Sequence, residues 1–71
     1  MGAIRNTIRD LRGEHGLTQQ DLAERIGVTR QTVIAIEQDR YSPSLETAFK
    51  IAQVFSVPLE QIFQYKPHAK R

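Results

Sequence analysis

The connection Gly27-Val28-Thr29 constrains the fold more than any other feature of this sequence. It separates two stretches with helical periodicity, one carrying Leu22 and Ile26 and the other carrying Val33 and Ile36. A connection of about three to four residues that contains glycine sets two helices at about 90–120° to each other. Its glycine tolerates the positive backbone angle that such a turn often needs. The sequence therefore predicts two helices joined by a tight turn.

Helical periodicity occurs in five segments, and no stretch alternates polar and apolar residues between turn signals. We therefore expect an all-α domain of five helices packed around one core. The first predicted helix covers Ala3 to Glu14, and the next three begin after Thr18, Thr29 and Ser44. The fifth opens at Val57-Pro58, where proline suits a first turn. The expected core residues are Ile4, Ile8, Leu11, Leu22, Ala23, Ile26, Val33, Ile36, Leu45, Ala48, Ile51, Ala52 and Phe55.

The chain has 71 residues and no cysteine, so its length suits one small domain without disulfide support. We expect residues 1–66 to form this domain and residues 67–71 to be a loose basic tail. No segment approaches the roughly 18 apolar residues of a membrane span, and no signal core opens the chain. These features predict a cytoplasmic protein that does not contact a membrane and gains stability by forming oligomers.

The third predicted helix has an unusual outward side. If Val33 and Ile36 face the core, the opposite side carries Arg30, Gln31, Ile34, Ala35 and Gln38. Arginine suits guanine, glutamine suits adenine, and small apolar groups suit the thymine methyl in a major groove. The position after a tight turn therefore favours contact with DNA bases. From composition alone, with a net charge of +2, an ordinary solvated surface is as good an interpretation.

Residues 17–63 closely resemble the lambda-repressor-like helix-turn-helix domain of the phage Cro and repressor (Xre) type. The matching motifs are L-T-Q-x-x-L-A, G-V-x-R-x-T, I-E and Y-x-P-S-L, at family-like spacing. The resemblance implies a prokaryotic, sequence-specific transcriptional regulator, typically a repressor, that binds double-stranded DNA as a homodimer with its third helix in the major groove. Two positions depart from the family pattern: Ile34 is often polar, and Asp39 is often glycine.

The resemblance also assigns site residues by position. Arg30, Gln31 and Ala35 fall where members of the family contact bases, with Thr32 and Ile34 as adjacent candidates. The phosphate contacts that it implies are Thr18, Gln19, Gln38, Arg40 and Tyr41. Phosphate contacts set affinity and register, whereas base contacts set sequence preference.

Two further predictions concern structure and assembly. The resemblance implies a partly buried structural ion pair between Arg12 and Glu37. A helix as short as the fifth cannot bury residues all round, so we expect exposed apolar residues there to form a two-fold dimer interface. The expected interface residues are Phe55, Leu59, Ile62, Phe63 and Tyr65.

Other functions remain open at this level. An antitoxin would bind both operator DNA and a toxin protein, and a protein–protein module would keep the fold without binding DNA. We find no nucleophile paired with a base and no glycine-rich phosphate loop, which argues against an enzyme. His15 and His68 are far apart without cysteine, so no catalytic residue, metal site or cofactor is predicted.

Overall fold

The computed structural model describes residues 3–66. A strand β1 (Ala3–Asn6) precedes the helices α1 (Ile8–His15), α2 (Gln19–Ile26), α3 (Arg30–Glu37), α4 (Leu45–Phe55) and α5 (Leu59–Ile62), and a strand β2 (Phe63–Lys66) follows them. The prediction of five helices, with a tight turn between the second and third, is confirmed. The predicted basic tail, residues 67–71, lies outside the described residues.

Three of the helices begin at the hydroxyl caps that the sequence predicted. The side chains of Thr18, Thr29 and Ser44 each accept a hydrogen bond from the backbone amide three residues later. Such a cap satisfies an amide that has no partner inside the helix, and losing it costs about 1 kcal/mol. The caps therefore fix where α2, α3 and α4 start.

The prediction that no strand forms is wrong at both ends of the described chain. β1 and β2 pair antiparallel, with Ile4 opposite Tyr65 and Asn6 opposite Phe63. The amide of Thr7 continues this pairing by donating to Ile62 O at 2.9 Å. Residues 3–6 thus find backbone partners across the chain, and α1 starts at Ile8 rather than at Ala3.

The core forms where the apolar faces of the helices meet. Ile8, Leu22, Ile51, Phe55 and Ile62 are all at most 2% exposed. Leu45 was expected in this core, but it is 68% exposed because it lies at the first position of α4, where its side chain lines a surface groove with Leu59 and Phe63. Ile4 was also expected inside, but β1 carries it to the surface, where it is 40% exposed.

Two negative findings apply to residues 3–66. No helix in this range is long and apolar enough to span a bilayer. Its histidine, aspartate and glutamate residues form no group of three or more that could hold a metal ion.

Candidate nucleic-acid interface

The turn between α2 and α3 directs the outer side of α3 away from the core. Gly27 has a φ of +75°, and the amide of Val28 donates back to Ala23 O at 3.0 Å. The Val28 side chain is half-buried against the core and fills the corner between the two helices. Glycine is needed here because a left-handed conformation is strained for most other residues.

The two sides of α3 differ sharply in exposure. Val33 and Ile36 are 1% and 2% exposed, so they anchor the helix to the core. The opposite side carries the exposed Arg30, Gln31 and Gln38 together with the half-buried Ile34 and Ala35. The structure therefore brings the predicted base-contact residues together with Gln38, a predicted phosphate contact, on one accessible surface, which we call the α3 face (Arg30, Gln31, Thr32, Ile34, Ala35 and Gln38).

Thr32 differs from the rest of the α3 face because its hydroxyl already has a partner. The Thr32 and Thr29 hydroxyl oxygens lie 3.1 Å apart, and Thr29 also caps the Thr32 amide at 3.2 Å. The half-buried Thr32 thus serves the helix start, and its hydroxyl has one of its hydrogen-bonding positions occupied by Thr29.

The start of α2 lies beside the end of α3, where Gln19 meets Glu37, and it offers polar groups of its own. A capping box joins Thr18 and Asp21, with the Thr18 amide donating to the Asp21 carboxylate at 3.0 Å and the Asp21 amide to the Thr18 hydroxyl oxygen at 3.0 Å. The hydrogen bonds from Thr18 hold the pKa of Asp21 below its usual value. The amides of Gln19 and Gln20 remain available to an anion, because they lie at the first two positions of α2, where helix geometry gives an amide no acceptor.

A three-helix hydrogen-bond network supports this corner. Glu37 on α3 accepts from Arg12 on α1 through two nitrogens, Nε at 2.6 Å and Nη2 at 3.2 Å. Gln19 on α2 donates from Nε2 to the same carboxylate at 3.2 Å. Arg12 also donates to Leu17 O at 3.1 Å. The predicted Arg12–Glu37 contact is thus present and partly buried, and it holds the side chain of Gln19 against α3.

An open concavity separates the start of α2 from the α3 face. Arg30, Gln38 and the hydrogen-bonded residues Arg12, Gln19 and Glu37 line it, and so do two polar residues outside the predicted site, Arg9 on α1 and Gln20 on α2. No local sequence feature indicates that the turn of α1 carrying Arg9 faces this concavity. Two cationic side chains, Arg9 and Arg30, therefore border a polar recess next to a helix N-terminus.

The loop after α3 carries the remaining predicted phosphate contacts. Arg40 and Tyr41 are both exposed, and Tyr41 is 53% exposed. Within residues 3–66, neither side chain has a hydrogen-bond partner in the protein. Asp39 has a φ of +61°, which is a left-handed backbone conformation. The family pattern often has glycine at this position.

Two of the five expected dimer-interface residues are buried within the monomer. Phe55 is 2% exposed and Ile62 is 0% exposed, because both close the core, so neither offers surface to a second copy. The expectation was wrong for these two residues. Leu59 and Phe63 are half-buried, and Tyr65 is 67% exposed.

An apolar surface does exist next to these residues, and we call it the α4–α5 face (Ile4, Leu45, Phe49, Leu59 and Phe63). Phe49 and Leu45 are 51% and 68% exposed on α4. One groove lies between Ile4, Leu45, Leu59 and Phe63, and a second between Phe49 and Leu59. Leu59 joins the two grooves, and neither shares a residue with the concavity beside α3.

Comparison with known proteins places this geometry in context. A family model described as helix-turn-helix matches residues 8–62. An uncharacterised HTH-type transcriptional regulator of Methanocaldococcus jannaschii is 52% identical over 63 residues, which are 89% of this chain and 96% of the relative. The matched range runs from the first residue of α1 to the last residue of α5, so it contains the whole helical part of the fold.

Two further matches add a repressor and a solved structure. The cryptic phage CTXphi transcriptional repressor RstR of Vibrio cholerae is 44% identical over 55 residues, which are 78% of this chain and 50% of the repressor. A crystal structure from Bacteroides fragilis, solved as that of a candidate DNA-binding protein, superposes with a TM-score of 0.77 at 26% identity. The superposition covers 86% of this chain and 98% of that one.

Proposed function

This chain belongs to the Xre-type helix-turn-helix family of DNA-binding transcriptional regulators, and from that premise we propose that it reads operator DNA with α3. The family and the fold are those of transcription regulators and not of enzymes. The observation that carries the proposal is the α3 face, where arginine, glutamine and small apolar side chains are exposed together on a helix held by Val33 and Ile36.

In this proposal, the α3 face supplies the base contacts. Arg30 and Gln31 lie at the start of α3, where such helices enter the groove, and they suit guanine and adenine. Ile34 and Ala35 lie one turn further along and suit thymine methyl groups. Thr32 contributes its methyl group, since its hydroxyl is bonded to Thr29.

The phosphate contacts come from two sides of the α3 face. On one side are Thr18 and Gln19 at the start of α2, with Gln38 and the newly identified Arg9 along the concavity. On the other side are Arg40 and Tyr41. Contacts on both sides of a groove-bound helix fix its register, while the bases set the sequence preference.

The α4–α5 face is the proposed contact between two copies. Five apolar side chains form this surface, and no other element among residues 3–66 covers it. Contiguous apolar patches of this kind mark interaction sites. A two-fold dimer would bury the same residues of both copies and leave both α3 faces free. Its two α3 helices would then read half-sites about 34 Å apart.

The proposed direction of control is repression in the prokaryotic cytoplasm, where the chromosome lies. It is supported by the relation to RstR, which is named as a transcriptional repressor. A dimer seated across two adjacent major grooves excludes other proteins from the same DNA by occupying it.

Selection of preferred sites from a random duplex pool tests the proposal. We expect an enriched sequence with two-fold symmetry and half-sites one helical turn apart. Binding of that duplex should weaken steeply with salt, because phosphate contacts release counterions. A pool that yields no enriched sequence, or binding that does not change with salt, would contradict the proposal.

A further inference from the structure

Asn6 joins the start of α1 to the end of α3 with all of its side-chain hydrogen-bonding groups. Its amide nitrogen donates to Ile36 O and to Asp39 Oδ1, both at 2.9 Å. Its side-chain oxygen accepts from the Ile8 amide at 3.2 Å. Ile36 and Asp39 lie 30 and 33 positions from Asn6 in the sequence, so the fold brings these three residues together.

The link acts at the point where the chain leaves α3. The amide of Asp39 donates to Ile36 O at 3.1 Å, and the amide of Arg40 donates to Ala35 O at 2.9 Å. This pair of bonds, with Asp39 at a φ of +61°, is a Schellman motif. Ile36 O therefore accepts both from the Asp39 backbone and from Asn6, and the side chain of Asp39 is held as well.

We propose that Asn6 and Asp39 are positioning residues that aim Arg40 at the DNA backbone. Glycine would adopt the same backbone conformation at position 39 without strain, but it would leave the next residues free to swing. Asp39 adds an acceptor for Asn6, so the direction of the chain at Arg40 is fixed before DNA arrives. The inference rests on the proposed function, because it assigns Arg40 a phosphate contact.

The alternative is that Asp39 only closes the helix. Two substitutions separate the alternatives. Asp39→Asn and Asp39→Gly both remove the same charge, and both suit a positive φ. They differ in the side-chain oxygen, which Asn retains for the Asn6 amide and Gly lacks. A helix-closing role predicts that the two variants behave alike.

The experiment measures the affinity of the wild type and both variants for the selected duplex across a range of salt concentrations. We expect Asp39→Asn to keep the wild-type slope of log affinity against log salt, and Asp39→Gly to lower it by about 1, as for one lost phosphate contact. Arg40→Ala should lower the slope by the same amount, and adding Asp39→Gly to it should change the slope no further. Discrimination against mismatched bases should be the same in every variant.

A second variant keeps the test decisive if Asp39→Gly folds poorly. Asn6→Asp retains the oxygen that accepts from Ile8 but has no amide protons to donate. It should therefore lower the slope as Asp39→Gly does. Equal slopes for Asp39→Asn and Asp39→Gly in a binding-competent protein would overturn the inference alone. A wild type that binds the duplex without salt dependence would instead overturn the proposed function, and the inference with it.

Discussion

Glu37 binds the guanidinium of Arg12 through both carboxylate oxygens, with the shorter contact at 2.6 Å. The two side chains are only 7% and 15% exposed, so the pair is largely shielded from water. We predict that Glu37→Ala lowers the free energy of unfolding by about 3 kcal/mol, because the charge of Arg12 is left without a partner. For a domain of this size, that is a large part of the total stability. Urea denaturation followed by circular dichroism measures the loss.

The double variant Arg12→Ala/Glu37→Ala is the control for this prediction. It removes both charges, so its loss of stability should be smaller than the sum of the two single losses. A loss below about 1 kcal/mol for Glu37→Ala would mean that the pair behaves as an exposed surface ion pair. Additive losses would mean that the two residues do not act together.

Local signals in the sequence were sufficient to predict where α2, α3 and α4 begin. The hydroxyl caps at Thr18, Thr29 and Ser44 and the glycine at position 27 act within a few residues, so α2, α3 and α4 begin where their caps lie. The accessible side of α3 followed from Val33 and Ile36 by helical geometry alone. The part of the candidate site on α3 could therefore be outlined from local signals, whereas the candidate phosphate contacts came from the family resemblance.

The features that the sequence did not reveal depend on distant contacts. Ile4 lies in β1 and is opposite Tyr65 of β2, close to the other end of the chain. Ile4, Ile8 and Leu11 also have helical spacing, so local periodicity favoured a helix where the strand β1 forms. The expectation of no strand overlooked the alternation of apolar and polar residues from Phe63 to Lys66, which is only four residues long and pairs with a distant segment. The burial of Phe55 was expected from the periodicity of α4, but its completeness, which leaves no surface for a second copy, results from packing of several elements.

Gln31→Ala tests base reading at the start of α3. The side chain is exposed, so its removal should leave the fold unchanged. We expect binding to the selected duplex to weaken by about 1–3 kcal/mol and preference at one base pair to relax, while binding to random duplex changes little. Gln61→Ala, at an exposed position of α5, is the matched control and should change neither. An equal loss on selected and random DNA would contradict a base contact.

Phe49→Lys tests the proposed dimer surface. Phe49 is 51% exposed on the α4–α5 face, and a lysine there would place a charge in the apolar surface that the dimer is proposed to bury. We expect light scattering at micromolar concentration to report a dimer for the wild type and a monomer for the variant, with the helical content retained. Glu24→Lys introduces the same residue at an exposed position of α2 and should remain a dimer. A monomeric wild type would exclude the interface.

The capping box at the start of α2 predicts a pH dependence of stability. Asp21 has a lowered pKa in the folded protein because Thr18 donates hydrogen bonds to its ionised carboxylate. A group with a lowered folded pKa stabilises the fold above its unfolded pKa of about 3.9, and this contribution is lost as the pH falls through the folded value. Asp21→Asn should therefore be less stable than the wild type at neutral pH, and the gap should close in acid. Thermal melts from pH 7 to about pH 2 measure the difference in stability between the wild type and Asp21→Asn. A difference that stays constant with pH would show that the charge on Asp21 does not stabilise the helix start.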